Sequence, residues 1–187
     1  RRPGVVRTRS EPPTCVAFPP TGNRSAQVGT IGVISDTHGL LREEALDALA
    51  GSDLIIHAGD VGKSEILEKL SEIAPVRAVY GNTDWGELRD ALPGSDVVDL
   101  GMPGPLAYVL HIFESLDLDP VAAGFQVVIF GHTHQPLIRE LEGVLYLNPG
   151  SAGPRRPDLP VTLARLTVEG DDVRAEILDL AVGQEGR

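Results

Sequence analysis

Seven side chains with oxygen or nitrogen donors stand at the ends of five short apolar runs in this 187-residue chain. Asp36 and His38 follow Thr30–Ser35, and Asp60 follows Leu54–Ala58 after one glycine. Asn82 follows Val76–Tyr80 after one glycine, and His111 closes Leu106–Leu110. His132 and His134 follow Val127–Phe130 and Gly131. Carboxylate, carboxamide and imidazole groups share the capacity to hold a divalent metal ion. A set of this kind without thiolate suits Mn, Fe, Ni or Zn and disfavours Ca or Mg. Seven donors on one rim are enough for two ions.

Singly, most of these motifs are ordinary. Gly59-Asp60 and Gly81-Asn82 are common turn dipeptides, and Asp36-Thr37-His38 reads as an Asx turn with a surface histidine. As an ordered set they read differently. Residues two apart on extended chain point the same way, so Asp36 with His38, and His132 with His134, can each address one ion. The glycines before Asp60, Asn82 and His132 let the backbone leave a strand abruptly and approach a ligand closely. The fifth histidine, His57, lies inside an apolar run and is expected as a buried, hydrogen-bonded core residue, with support of the ligands as its alternative role.

The elements that must position these donors follow from periodicity. The five runs read as buried strands, and ligands of a mostly parallel sheet bind beyond the carboxyl ends of its strands. Leu40–Ala50 and Ser64–Ile73 carry apolar residues at helical spacing, stopped by Gly51 and Pro75. A third helix is expected after Asp119-Pro120, with Asp as cap and Pro at the first helical position. Strand–helix alternation predicts right-handed βαβ units in the front half. Leu137–Glu140, Val144–Leu147, Val161–Val168 and Val173–Leu180 predict a second, largely antiparallel sheet packed on the first. Gly170-Asp171-Asp172 reads as a hairpin turn.

Composition narrows the function. Residues 1–27 hold five arginines against Glu11 and four prolines between Glu11 and Pro20, with no apolar h-region. They are expected to be a disordered tail, ahead of a single domain over 28–183 in a cytoplasmic protein. The net charge of −11 includes +4 from that tail, which leaves −15 on the remainder. A nucleic-acid groove wants a basic stripe, so long nucleic acid is disfavoured as a partner. A small phosphorylated ligand is not, because bound metals reverse the local field. No apolar stretch approaches the roughly 20 residues that a membrane span needs. Cys15 alone makes no internal disulfide.

Other catalytic patterns fail. Gly62-Lys63-Ser64 ends like a P-loop, but His57 stands where that motif requires glycine. No Gly-x-Ser-x-Gly elbow is present, and Cys15 lies in the tail.

Asp36-x-His38, Gly59-Asp60, Gly81-Asn82-x-Asp84, the strand-end His111 and Gly131-His132-x-His134, in that order, resemble the calcineurin-like metallophosphoesterases. The compact size and Asn148-Pro149-Gly150-Ser151 are similar to the small bacterial and archaeal phosphodiesterase branch. The resemblance spans residues 30–180. It implies an α/β fold, a four-layer α-β-β-α sandwich of two packed mixed sheets, and two divalent ions, Mn first, with Ni, Fe or Zn as alternatives. Carried over by position, one ion takes Asp36, His38, Asp60 and His134. The other takes Asp60, Asn82, His111 and His132, with Asp60 bridging. The implied reaction is direct hydrolysis of a small phosphate ester by a metal-bridging hydroxide, with Asp60, Asn82, His132 and Asp84 as catalytic residues. Asn82, Arg155 and Arg156 are the expected phosphate contacts.

The chain departs from the larger members of that family in two places. Thr83 stands where they carry a proton-donating histidine, and Ile112 stands after His111 where glycine is usual. The loss of the donor favours substrates with good leaving groups. The competing expectation is a metal-binding interaction scaffold of the same fold with little activity, and a homo-oligomer is compatible with either.

Overall fold

A computed structural model describes residues 29–101 and 104–180. The expected tail 1–27, residues 28 and 181–183 of the expected domain, and Met102 and Pro103 lie outside the described residues.

Among the described residues, ten strands form two five-stranded mixed sheets. In chain order the elements are β1 (Gly29–Ile34), α1 (Glu43–Leu49), β2 (Leu54–His57), α2 (Ser64–Ser71), β3 (Val76–Ala78), α3 (Glu87–Ala91) and β4 (Ser95–Asp99). There follow β5 (Leu106–Leu110), a 3-10 turn (Phe113–Ser115), β6 (Val127–Ile129), β7 (Leu137–Leu141), β8 (Val144–Asn148), β9 (Thr162–Glu169) and β10 (Asp172–Asp179). The first sheet has the order β10-β9-β1-β2-β3 and the second β4-β5-β6-β8-β7. Within them β1-β2-β3 and β5-β6-β8 are parallel, and the remaining pairings are antiparallel.

Why the runs are apolar throughout is clear from what each face meets. Ile31 and Val33 of β1, Ile56 of β2, Ala164 and Leu166 of β9 face Ala107, Val109, Val127, Ile129 and Leu147 across the gap between the sheets. The alternate residues Ile34, Ile55 and Leu163 turn outward and pack on Leu49 of α1 and Ile66 and Leu70 of α2. Gly32 permits that contact, since a Cβ there would run into the Leu49 side chain. Strands covered on both faces lose the two-residue alternation of half-exposed ones. Gly51, at φ +79°, ends the α1 segment as expected.

The division between sheets differs from the sequence expectation. The β9–β10 hairpin returns to the edge of the first sheet, where β9 pairs antiparallel with β1. The second sheet is centred instead on β5 and β6, and it is half parallel. Strand periodicity reveals which faces are buried, not which edge a hairpin joins.

The third helix is also displaced. After Asp119 the chain makes one capped turn, with the Val121 and Ala122 N–H groups donating to Asp119 Oδ1 at 3.0 and 3.3 Å. Gly124, at φ +79°, ends it. The actual third helix is α3, whose Leu88 and Leu92 join the packing outside the first sheet. Outside the second sheet, Leu110, Val128, Phe130 and Val144 are covered by Leu116 and the tyrosines 108 and 146 rather than by an α-helix. Among the described residues, no helix is long and apolar enough to cross a membrane.

Candidate metal centre

The carboxyl ends of β1, β2, β3, β5 and β6 deliver the seven donors to one rim. Five of them sit at positive φ: Asp36 (55°), His38 (46°), Asp60 (54°), His132 (68°) and His134 (60°). Left-handed backbone is uncommon for side chains other than glycine and costs on the order of 1 kcal/mol or more per residue. Such a concentration in one place means that the surrounding loops over-determine the arrangement.

Close packing of those loops explains the glycines. A Cβ on Gly81 would strike the Asp60 backbone and carboxylate, and one on Gly59 would come within 2.6 Å of His111 Nδ1. A Cβ on Gly131 would fall against Ser35 Oγ and lie 2.7 Å from Asp36 Oδ2. At these three positions the backbone is packed directly against the donor side chains and the residues beside them.

Asp36 is fully buried, and its two oxygens differ. Oδ2 accepts from Ser35 Oγ at 2.7 Å and from the His132 N–H at 3.1 Å. Oδ1 is buried with no hydrogen-bond donor. His134 Nε2 lies 3.1 Å from it, misaligned for a hydrogen bond, and His38 Nε2 lies 3.8 Å away. The two imidazoles stack, with their Nε2 atoms 3.3 Å apart. Burial pushes the Asp36 carboxyl up, but His134, Ser35 and His111 outweigh it and hold it below the usual carboxylate range.

His111 shows the same logic from the nitrogen side. Its Nδ1 lies 2.8 Å from the Ala58 carbonyl, which can only accept, so Nδ1 carries a proton. In the neutral ring the Nε2 lone pair then faces two acceptors, Asp60 Oδ2 at 3.3 Å and Asn82 Oδ1 at 3.1 Å. Only a cation or a second proton satisfies all three atoms. Burial pulls the imidazolium down, yet contact with Asp60, the Asp36 charge and the Ala58 carbonyl raise it above the ordinary histidine range. Burial likewise works to raise Asp60, but His111 and Thr83 prevail and hold it far below the usual carboxylate range. His38, where burial dominates, is lowered.

Two groupings can therefore hold an ion: Asp36, His38 and His134, and Asp36, Asp60 and His111. Asp60 Oδ2 stands between them, 3.9 Å from His38 Nε2 and 3.3 Å from His111 Nε2. The orphaned Asp36 Oδ1 and the crowded lone pairs around His111 fit divalent cations, and thiolate-free imidazole and carboxylate donors fit borderline transition metals. His132 places its ring edge-on to His111, 5.4 Å between centroids, and lines the opening. That opening is a cavity of about 260 Å³ bounded also by Asn82, Thr83 and Arg156.

Four further residues are assigned places by the structure. Arg156 reaches the cavity wall, while Arg155 is exposed and is not among the residues lining it. Asp84 is buried and turned away from the cavity. Its carboxylate accepts the N–H groups of Gly81 and Gly62 at 2.8 Å each and of Val61 at 3.1 Å. It clamps the Asp60 loop to the Asn82 loop. His57 is fully buried. The Thr37 hydroxyl gives its one proton to the Val61 carbonyl, so His57 Nε2–H donates to Thr37 and Nδ1 accepts from the Gly59 N–H.

Sequence reasoning singled out Asn148-Pro149-Gly150-Ser151 without a role. Here Asn148 Nδ2 donates to the Gly131 carbonyl at 2.8 Å and to Thr133 Oγ1 at 3.1 Å, and Ser151 Oγ donates to the Asp36 carbonyl at 3.0 Å. This loop ties the His132 loop of one sheet to the Asp36 loop of the other.

A family model for the calcineurin-like phosphoesterase superfamily domain matches residues 30–171. A protein of Methanothermobacter thermautotrophicus, named a probable metallophosphoesterase, is 39% identical over 158 residues, 79% of this chain and 91% of its own length. A phosphodiesterase of Methanocaldococcus jannaschii is 27% identical over 166 residues, 80% of this chain and 99% of its own length. The solved structure of Vacuolar Protein Sorting 29 from Cryptosporidium parvum superposes with a TM-score of 0.70 at 22% identity, over 84% of this chain and 94% of that one. That likeness concerns the fold. The matched span carries every donor from Asp36 to His134, and the chain belongs to the calcineurin-like phosphoesterase superfamily.

Proposed function

We propose that this chain is a metal-dependent phosphodiesterase that holds two divalent ions, Mn²⁺ foremost, with Ni²⁺, Fe²⁺ or Zn²⁺ as alternatives. Asp36, His38, Asp60 and His134 hold one ion, and Asp60, Asn82, His111 and His132 the other. The observation that carries the reading is the pairing of an undonated, buried Asp36 Oδ1 with a His111 Nε2 lone pair aimed at two oxygens. Both are electrostatic faults that cations at those two places remove.

When bound, the ions supply an acidified water and positive charge against the phosphoryl oxygens. The protein's own residues hold the geometry. The Ala58 carbonyl fixes the tautomer of His111, Thr83 N–H donates to Asp60 Oδ1 at 2.8 Å, and Asp84 holds the two loops in register. Asn82, His132 and Arg156 border the space where a phosphate would sit. Arg155 enters the reading only as a long-range positive charge. A small phosphate ester is the substrate class that an acidic body with a cationic centre selects.

The experiment is reconstitution. Chelator-stripped protein, with Mn²⁺, Ni²⁺ or Zn²⁺ added back, is expected to hydrolyse bis-p-nitrophenyl phosphate, and His132→Ala to lose at least about a hundredfold. Metal binding without His132-dependent turnover would leave an interaction scaffold in place of the enzyme.

A further inference from the structure

Next to the metal centre lies a second cavity of about 280 Å³ that shares Asn82 and His111 with it. Its other walls include Tyr80, Arg89, Gly94 and Ser115. Arg89 is the informative residue. Its guanidinium lies over the Tyr80 ring at 4.3 Å and near the Trp85 ring at 6.0 Å. Among the described residues it makes no ion pair or hydrogen bond, although Glu87 and Asp90 stand on the same helix. Arg77, Arg165 and Arg174 all pair with carboxylates.

Aromatic contact occupies the faces of a guanidinium and leaves its N–H edge free, and that edge matches carboxylate and phosphate oxygens. Tyr80 itself is seated by Gly94, where a Cβ would lie 2.8 Å from the Tyr80 hydroxyl. Trp85, 74% exposed, is a flat apolar surface next to Arg89. The cavity is thus a continuation of the phosphate site, cationic on one side and apolar at Leu110 and Ile112.

We propose that this cavity binds a second oxyanion, a carboxylate or phosphate, carried on the ester group of the substrate, with Arg89 as its specificity-determining residue. This rests on the phosphodiesterase reading and narrows it: preferred substrates are phosphodiesters with one negatively charged arm. A neutral-armed diester fills the metal centre and leaves the Arg89 edge to water.

Trp85 is the only tryptophan of the chain, so its emission reports occupancy without turnover. Zn²⁺-loaded protein is titrated with 3-phosphoglycerate and with glycerol 3-phosphate, which differ by a carboxylate in place of a hydroxymethyl group. Wild type is expected to bind the carboxylate ligand about tenfold tighter, the size of one charge-assisted hydrogen-bond pair. Arg89→Gln brings the ratio near one, and Arg89→Lys retains part of it, with glycerol 3-phosphate affinity the folding control for both. A wild-type ratio near one overturns the proposal, as does a ratio unchanged in Arg89→Gln. Absence of bis-p-nitrophenyl phosphate turnover beside an intact Arg89-dependent ratio would sink the enzyme reading alone.

Discussion

Asp36 Oδ1 lies 3.1 Å from His134 Nε2 with no hydrogen bond between them, and the two residues arrive from different sheets. Among the described residues no donor hydrogen-bonds that oxygen, and only the nearby imidazoles act on its charge. A bound ion offsets its burial, which makes metal binding a linkage between the sheets. At a free ion concentration about a hundred times Kd, wild type should gain about 3 kcal/mol, or roughly 5–10 °C in Tm for a domain of this size. Asp36→Asn replaces the orphan oxygen with a neutral amide and should shift by less than about 2 °C. Thermal scans of stripped protein with and without Mn²⁺ decide this, and an undiminished shift in the variant would remove Asp36 from the site.

How far the candidate site is legible in the sequence depends on which force positions each part. Asp36, His38, Asp60, Asn82, His111, His132 and His134 were visible because each follows an apolar run, and burial on both faces leaves a clear pattern. Asp84 was visible as a residue but not as a clamp, because its partners are backbone N–H groups that carry no sequence signature. The short edge strand β4 escaped notice since Asp96 and Asp99 interrupt its apolar residues and only Val98 is buried. The helix expected after Asp119 failed because Gly124 follows the cap too closely for a second turn. Where β9 would pair was hidden altogether, since register with β1 is a tertiary choice.

His57 makes stability depend on pH. Its neutral ring uses both nitrogens, and burial lowers its pKa from the ordinary histidine value to about 4. The unfolded chain binds the proton near pH 6.5. Between those values the unfolded state holds more protons, so stability is fully present above about 6.5 and is lost as the pH falls toward about 4. The full loss is about 3 kcal/mol. Urea midpoints of metal-free protein measured from pH 7.5 to 4 should fall accordingly. In His57→Gln the slope across that window should flatten, and a slope as steep as wild type would assign the effect to other groups.

Asp84 and His132 should separate stability from chemistry. Asp84→Ala leaves the Val61, Gly62 and Gly81 N–H groups without their acceptor, at a cost of about 3 kcal/mol or more. His132 is exposed and its ring accepts or donates nothing among the described residues, so His132→Ala should change stability by less than about 0.5 kcal/mol while abolishing most turnover. Denaturant titrations beside initial rates test the pair. An Asp84→Ala protein of wild-type stability with no activity would return Asp84 to the chemistry itself.

Thr83 predicts which esters the enzyme hydrolyses. It lines the cavity, its N–H holds Asp60 Oδ1 at 2.8 Å, and its hydroxyl lies 3.4 Å from His38 Nδ1. The histidines bordering the same cavity, His38, His132 and His134, belong to the proposed ligand set, and a nitrogen that binds a metal cannot also protonate a departing alkoxide. Leaving groups must then depart with protonation by water alone, so rates across a series of aryl methyl phosphates should fall steeply as the phenol pKa rises. Thr83→His puts an ionisable donor at that wall without removing the backbone N–H that serves Asp60. It should flatten the slope and raise the rate of the poorest leaving group by about tenfold or more, within the usual reach of general acid catalysis. An unchanged slope with intact metal content would mean that leaving-group protonation does not limit the reaction at this wall.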